Sequence, residues 1–457
     1  MIDKDFKIIN GDSLVVLDTL EPESVDSIVT DPPYGLTSIT KRFGKEGSAP
    51  CKEGKDGSFA RLTRGFMGKV WDGSGIEYNV ELWKKAYKVL KPGGYLLAFG
   101  GTRTYHRIAC AIEDAGFEIR DTIMWLYGSG FPKSHNVGLD IDKKLGCPDR
   151  GHRIAVANRF HPDGTLEPNG EDLPAYEGKT ELGKQWQGWG TALKPAYEPI
   201  IVARKPPKGS VADNVMKYGV GGINIDDCRV ENENGDGRFP ANVIHDGSEE
   251  VTSGFPNSQG SGGKPFKATD YEEKQTATNF TRGDFIPYND EGSASRFFYC
   301  AKASSKDRDE GLFEFDEKKT GELQGGRKEG SAGSIMLNED GSTRVNPYAG
   351  TGAVKKNFHP TVKPTELMQY LVRLVSPKGA TILDPFNGSG STGKAVAFEN
   401  RERNMGYKYI GIELDPDYCK ISEARIEYAL HKYKYDLMEE IQENKKKGQL
   451  SLFDDLE

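Results

Sequence analysis

Two short segments of this chain carry residues that could do chemistry on a nucleoside-like ligand. Val29-Thr30-Asp31-Pro32-Pro33-Tyr34 ends an apolar run with a carboxylate, two rigid prolines and an aromatic ring. Leu383-Asp384-Pro385-Phe386-Asn387-Gly388-Ser389-Gly390-Ser391-Thr392-Gly393 is an apolar strand running into a glycine-rich turn and then a helix. That arrangement is the way a doubly wound sheet binds a nucleoside cofactor. Glycines at 388, 390 and 393 let the backbone pass close to a ligand, and a helix presents free amide groups at its start. Glu413 ends the next strand, in Ile410-Gly411-Ile412-Glu413-Leu414-Asp415, where a carboxylate can accept both hydroxyls of a ribose.

These residues need a scaffold, and the strand-like runs are short and regularly placed. Phe6 to Ile9, Ser27 to Thr30, Tyr95 to Phe99, Glu118 to Trp125 and Pro199 to Ala203 are apolar or β-branched, while Asn79 to Leu90 and Thr104 to Ala115 read as helices. Strands alternating with helices predict a mostly parallel, doubly wound α/β sheet. Thr381 to Leu383 and Tyr409 to Ile412 flank a helix from Gly393 to Asn400 far downstream. A sheet whose cofactor-binding strand comes late in the chain is circularly permuted relative to the commonest nucleotide-binding order.

At 457 residues the chain is too long for one ordinary core. With 36% hydrophobic residues and 55 glycines, a catalytic core should carry long polar insertions. No run approaches the roughly eighteen apolar residues of a membrane span, and Met1-Ile2-Asp3-Lys4-Asp5 does not open a signal peptide, so a cytoplasmic location is expected. Six scattered cysteines without a C-x-x-C pair argue against a zinc site or a disulfide framework, and no metal is expected. From Pro206 to Lys356 turn residues dominate, which predicts a separate inserted domain. The expected divisions are therefore 1–205, 206–356, 357–440 and a flexible tail, 441–457. Within 206–356, Arg296 to Lys302 reads as a strand.

Net charge is −8, whereas phosphate contact usually shows as a basic surface. The local distribution differs. Thr37 to Val70 holds eight basic residues against three acidic ones, a cationic, glycine-rich loop suited to phosphate contact. Glu231 to Gly292 is the reverse, twelve acidic against five basic, and counts against a simple phosphate-binding role there.

Together the two opening segments resemble the amino-group DNA methyltransferases, which act on the N6 of adenine or the N4 of cytosine. Asp384-Pro385-Phe386 directly before the glycines resembles the methyltransferase form and not a G-x-G-x-x-G fingerprint. The order of the segments, target-base segment first and cofactor segment last, resembles the β group of that family. Lys194-Pro195-Ala196-Tyr197-Glu198-Pro199 and Gly65-Phe66-Met67-Gly68-Lys69-Val70-Trp71-Asp72 resemble further blocks of phage and mobile-element methylases, so the likeness extends over most of the chain.

The resemblance implies a circularly permuted Rossmann-like fold, S-adenosylmethionine (SAM) as cofactor and double-stranded DNA as partner, with links to restriction-modification. It implies that Asp384, Phe386, Gly388, Gly390, Thr392 and Glu413 hold SAM. Asp12 would accept the amino group of its adenine, although a helix cap would look identical. Thr361 and Lys363, in His359-Pro360-Thr361-Val362-Lys363-Pro364, would close over its methionine end, and the inserted segment would recognise the target sequence. Asp31 and the Pro32 carbonyl would accept the two amino hydrogens of an extruded base, Pro33 would help aim that carbonyl, and Tyr34 would stack on the base. Adenine is the expected target, because the Asp-Pro-Pro-Tyr form is commoner among adenine enzymes. Cytosine-N4 methylation is the runner-up, and a non-catalytic SAM- or DNA-binding regulator would be expected to have lost Asp31 or the glycine turn. A nicotinamide oxidoreductase would need a hydride-transfer constellation, and none is found. At the far end, Gln449-Leu450-Ser451-Leu452-Phe453 resembles the peptide that replication proteins insert into the bacterial sliding clamp, which implies a clamp partner.

Overall fold

In the computed structural model, the strand Leu90–Phe99 sends Leu96 and Ala98 into one buried apolar layer and Leu97 and Phe99 into another. Tyr197–Arg204 repeats the pattern, with Ile201 and Ala203 on the first side and Ile200 and Val202 on the second. Period-two alternation with both faces apolar is the signature of a sheet covered by helices on either side. The residues described are 5–34, 75–130, 134–147, 158–160, 166–168, 176–232, 237–258, 291–301, 305–319, 335–337, 343–345, 354–433 and 435.

Among the described residues, nine strands form the main sheet: β1 Phe6–Asn10, β2 Val25–Thr30, β3 Leu90–Phe99, β4 Glu118–Leu126, β5 Tyr197–Arg204, β6 Val243–His245, β7 Tyr299–Cys300, β8 Thr381–Asp384 and β9 Lys408–Glu413. Their spatial order is β1-β9-β8-β2-β3-β5-β4-β6-β7. Every pairing is parallel except the two made by β5, which runs against β3 and β4. Helices α1 (Val80–Val89) and α2 (Tyr105–Asp114) cover one face through Leu82, Trp83, Ala86, Ile108 and Ile112. Helices α3 (Thr365–Val375) and α4 (Ser391–Arg403) cover the other through Leu367, Leu371, Val396 and Phe398. A further helix, α5 (Pro416–Leu430), follows β9, its start capped by Asp415 with Pro416 at the first position.

From β8 the chain passes through α4 to β9 on one side. From β2 it passes through α1 to β3 on the other. The neighbours β2 and β8 are therefore the topological switch point, where the carboxyl ends of parallel strands open a crevice. The two segments singled out by residue type leave the sheet at that point. Among the described residues, no helix is long and apolar enough to cross a membrane.

Two compact units divide the chain, and the division does not follow composition. One comprises Met1–Tyr127 and Tyr197–Glu457, the other Gly128–Ala196. The described part of 206–356 groups with the main unit, because β6 and β7 pair into its sheet. Turn-rich composition hid the short strand β6. The strand expected over Arg296 to Lys302 shrinks to Tyr299–Cys300, since the Arg296 guanidinium donates back to the carbonyls of Gly292, Ser293 and Ser258 and holds the preceding residues in a turn.

The smaller unit is organised by one buried carboxylate. Asp142, on the helix Val137–Lys144, accepts from the Tyr176 hydroxyl at 2.5 Å, the Lys179 amide at 2.7 Å, and both the amide and the hydroxyl of Thr180. This pins the start of the helix Glu181–Gln185. Trp186 and Trp189 pack on each other at 5.0 Å between ring centroids and stay partly exposed.

Candidate active site

Asp31, Tyr34, Glu198 and Lys363 converge at the carboxyl edge of the sheet, beside the switch point. Asp31 follows β2, with Pro32 and Pro33 buried behind it. Lys363 precedes α3 and places its Nζ 2.6 Å from Asp31 Oδ2 and 3.3 Å from Glu198 Oε2. The ammonium also lies over the rings of Phe99, at 4.9 Å, and Tyr34, at 5.2 Å. The Tyr34 hydroxyl donates to Glu198 Oε2 at 2.7 Å, and its carbonyl accepts from the Thr104 hydroxyl at 2.6 Å. Both ends of the tyrosine are thereby fixed.

Asp31 Oδ1 is different: it is buried and has no hydrogen-bond partner among the described residues. A buried carboxylate oxygen without a donor is costly, so the site is built to receive one. Burial raises the Asp31 carboxyl, Lys363 pulls it down and Glu198 pushes it up, leaving it above its ordinary value. Burial would lower Lys363, but the Asp31 and Glu198 carboxylates outweigh it and hold the ammonium charged.

The glycine turn lies next door. Asp384 ends β8 almost fully buried, with Oδ1 accepting from the Thr30 hydroxyl at 2.6 Å and the Phe386 amide at 3.0 Å, and Oδ2 from the Thr392 hydroxyl at 2.6 Å. Thr30 is the residue before Asp31, so this carboxylate joins the two segments at the crevice floor. Burial pushes it up to about 6. Gly388 and Gly390 adopt φ of +53° and +76°, a left-handed backbone that glycine takes without strain. A Cβ at Gly390 would overlap Ser422 Oγ, and one at Gly393 would lie 2.5 Å from Ile426 Cδ1. Both of these glycines therefore admit neighbouring side chains of α5, where residue type suggested room for a ligand. Gly388 faces the imidazole of His359, a ring whose burial holds it neutral at about 3.

Glu413 ends β9 and accepts the Gly388 amide on Oε2 at 2.7 Å and the Asp415 amide on Oε1 at 2.8 Å. Burial pushes its carboxyl up to about 7. Asp12 is exposed and caps the turn Ser13–Val16 through the Leu14 amide, so the capping role is real whatever else it binds. Phe386 is partly exposed beside Trp83. Thr361 is exposed, and its carbonyl is 2.6 Å from His359 Nδ1.

Residue type alone does not reveal several members of the site. Glu198, Thr30 and His359 sit inside segments singled out by sequence but have no role of their own there, and Phe99 is legible only as the end of a strand. A second layer is equally hidden: Arg425, fully buried on α5, donates to the Ser389 carbonyl, and Lys394 pairs with Asp307 at 2.5 Å and Glu310 at 2.8 Å. The cationic loop 37–70, the 65–72 block and the 449–453 peptide lie outside the described residues.

Residues 25–424 match a family described as DNA methylase, of the N6/N4 type. The chain belongs to the N6/N4 DNA methylase family. It is 27% identical over 238 residues to the type II methyltransferase M.HindIII of Haemophilus influenzae, covering 48% of this chain and 64% of that protein. It is 29% identical to the type II methyltransferase M2.LlaDCHI of Lactococcus lactis subsp. cremoris, over 47% and 78% of the two chains. A 73-residue stretch, 16% of this chain, is 41% identical to the DNA adenine methyltransferase YhdJ of Escherichia coli K12 and spans 23% of it. The matches thus reach less than two thirds of the Haemophilus and Escherichia proteins. Among solved structures, TTHA0409 of Thermus thermophilus aligns over 93% of this chain and 96% of its own at 14% identity and a TM-score of 0.38. The PvuII DNA methyltransferase, described as cytosine-N4-specific, aligns over 92% and 88% at 13% and 0.36.

Proposed function

We propose that this DNA methylase transfers a methyl group from SAM to the exocyclic amino group of adenine in double-stranded DNA, after the base is turned out of the helix. The observation that carries the reading is Asp31 Oδ1, a buried acceptor with no described partner, in a side chain whose other oxygen is held by Lys363. An aryl amino nitrogen delocalises its lone pair into the ring. Accepting its hydrogens at Asp31 and at the Pro32 carbonyl favours a pyramidal nitrogen and stabilises the positive charge that develops on it. Tyr34, fixed through its hydroxyl and its carbonyl, offers the ring for stacking, worth roughly 1–3 kcal/mol against the few that extrusion costs.

The residues around the glycine turn suit SAM. Glu413 offers carboxylate oxygens at the end of β9, Asp12 stands exposed after β1, Phe386 supplies a partly exposed ring, and Thr361 lies in the loop before α3. Bound there, SAM would supply a methyl activated by its sulfonium charge. The neutral His359 and the backbone of Gly388 form the adjoining wall.

Adenine as the target is supported by aspartate, not serine, at position 31 and by the local identity to an adenine methyltransferase. Sequence recognition is assigned to the 206–356 segment, and DNA phosphate contact to the 37–70 loop. The 449–453 peptide supports a clamp contact by its sequence alone; no binding of purified clamp at high micromolar concentration would remove that assignment.

The test is to incubate the protein with SAM and unmethylated genomic DNA, digest to nucleosides, and identify the product by mass spectrometry beside an Asp31→Ala control. N6-methyladenine absent from the control is expected. N4-methylcytosine would overturn the base assignment, and no product from SAM-binding protein would overturn catalysis.

A further inference from the structure

Glu198 lies in no segment that residue type marks as catalytic, yet it touches two members of the site. Its Oε2 accepts the Tyr34 hydroxyl at 2.7 Å and faces Lys363 Nζ at 3.3 Å, while the same ammonium is 2.6 Å from Asp31. It reaches them because β5 runs against both of its neighbours: the start of β5, not its end, lies at the carboxyl edge of β3 and β4. Three charges share a largely buried space, two carboxylates around one ammonium.

This arrangement has an electrostatic consequence. A lone buried Lys363–Asp31 pair would be neutral overall, and the lysine would draw on the carboxylate that must attract the amino hydrogens. Adding Glu198 leaves the cluster with one net negative charge beside the place where positive charge develops on the amino nitrogen. It also sets the ring that would stack on the base. We propose that Glu198 is a positioning residue of the methyl-transfer site, which shares the Lys363 ammonium so that Asp31 keeps its strength as an acceptor and which holds Tyr34 through its hydroxyl. This rests on the reading of Asp31 as the acceptor of the amino hydrogens. It adds no covalent step to the reaction.

The pH dependence of turnover separates this role from a merely structural one. Asp31 is faced by Lys363 from the loop before α3, Glu198 from β5, Tyr34 from its own segment and Asp384 from the end of β8; Tyr127 and His359 face the lysine from farther out. The anionic Glu198 raises the Asp31 carboxyl. Removing that charge lets Asp31 ionise at lower pH, so the acid limb of kcat moves down. Asp384 stays in place in both proteins, and the difference between them isolates Glu198.

The experiment compares the full-length wild type with Glu198→Gln, Glu198→Asp and Tyr34→Phe on one DNA substrate, measuring kcat against pH and SAM affinity by calorimetry. Glu198→Gln keeps the shape and an acceptor for Tyr34 but loses the charge. It should lower kcat roughly tenfold or more, keep SAM affinity near that of the wild type, and shift the acid limb to lower pH. Glu198→Asp should recover part of the rate and return the limb toward the wild-type position. Tyr34→Phe should lower kcat and move the limb the other way, to higher pH, because the Tyr34 hydroxyl lowers the Asp31 carboxyl while Glu198 keeps its charge. A Glu198→Gln protein within twofold of the wild type, or one whose limb does not move, would overturn the proposal, as would one that cannot fold while Glu198→Asp shows a displaced limb. Asp31→Asn is run in parallel: if it stays active, the reading of Asp31 is wrong, and if it is dead while Glu198→Gln is normal, the role of Glu198 alone is wrong.

Discussion

Lys363 and Asp31 stand 332 positions apart in the chain and meet through a 2.6 Å hydrogen bond between Nζ and Oδ2. The segment that contains the lysine points, by resemblance, to the methionine end of SAM. Its ammonium reaches the segment that follows β2, where it holds one oxygen of Asp31 and leaves the other for a hydrogen-bond donor.

Asp31→Asn should therefore separate binding from chemistry. The amide keeps the shape but loses the charge that draws the amino hydrogens, so kcat should fall by at least about 100-fold. SAM affinity, measured by calorimetry, should change little. A parallel loss of both would place Asp31 in cofactor binding.

Tyr34→Ala removes the ring and should cost roughly 1–3 kcal/mol, or roughly 5- to 150-fold in kcat/KM for DNA. Replacing the base opposite the target with one that pairs less well lowers the cost of extrusion and should shrink the defect. Steady-state kinetics on matched and mismatched duplexes would show it.

Gly390→Ala tests the glycine turn. A methyl there must accept φ of +76° and displace Ser422, a loss of about 1–3 kcal/mol, read as a lowered melting temperature. Ser422→Gly on the same chain should recover only part, since the backbone conformation stays unfavourable. Full stability in the single variant would mean that the turn has another conformation.

The carboxyl of Glu413 sets a pH-dependent contribution to stability. Burial pushes it up to about 7, above its ordinary value near 4.5, so the folded chain binds a proton that the unfolded chain does not between those values. Stability from this group is full below about 4.5 and is lost as pH rises through about 7. Glu413→Gln cannot follow that change. In thermal melts without SAM, the wild type should gain on the variant as pH falls from about 7.5 to about 5; a difference independent of pH would show that Glu413 is ionised throughout.

Much of the fold is legible in particular runs. Alternating or continuous apolar residues mark β1, β2, β3, β4, β5, β8 and β9, and their boundaries move by a few residues at most, except that β3 begins five residues before Tyr95. The short strand β6 is not legible, because three residues in turn-rich sequence carry no periodicity, and β7 is legible only as part of the longer run Arg296 to Lys302. The smaller unit escapes for a related reason. Its organiser is a single aspartate whose four donors come from Tyr176, Lys179 and Thr180, a pattern that composition does not register.

The sequence by itself determined the class of chemistry. Asp31-Pro32-Pro33-Tyr34 and the Asp384-to-Gly393 turn are local arrangements, set by residue type, backbone restriction and spacing along one segment, and they pointed to the N6/N4 DNA methylases before any contact was known. Only the tertiary structure decided which side chains share a charge. Glu198 enters the site because β5 runs against its neighbours, Lys363 because the loop before α3 reaches the end of β2, and Asp384 joins Thr30 because β8 and β2 are adjacent at the switch point. Coulomb energy and hydrogen bonding depend on distances in space, which the order of residues along the chain does not contain.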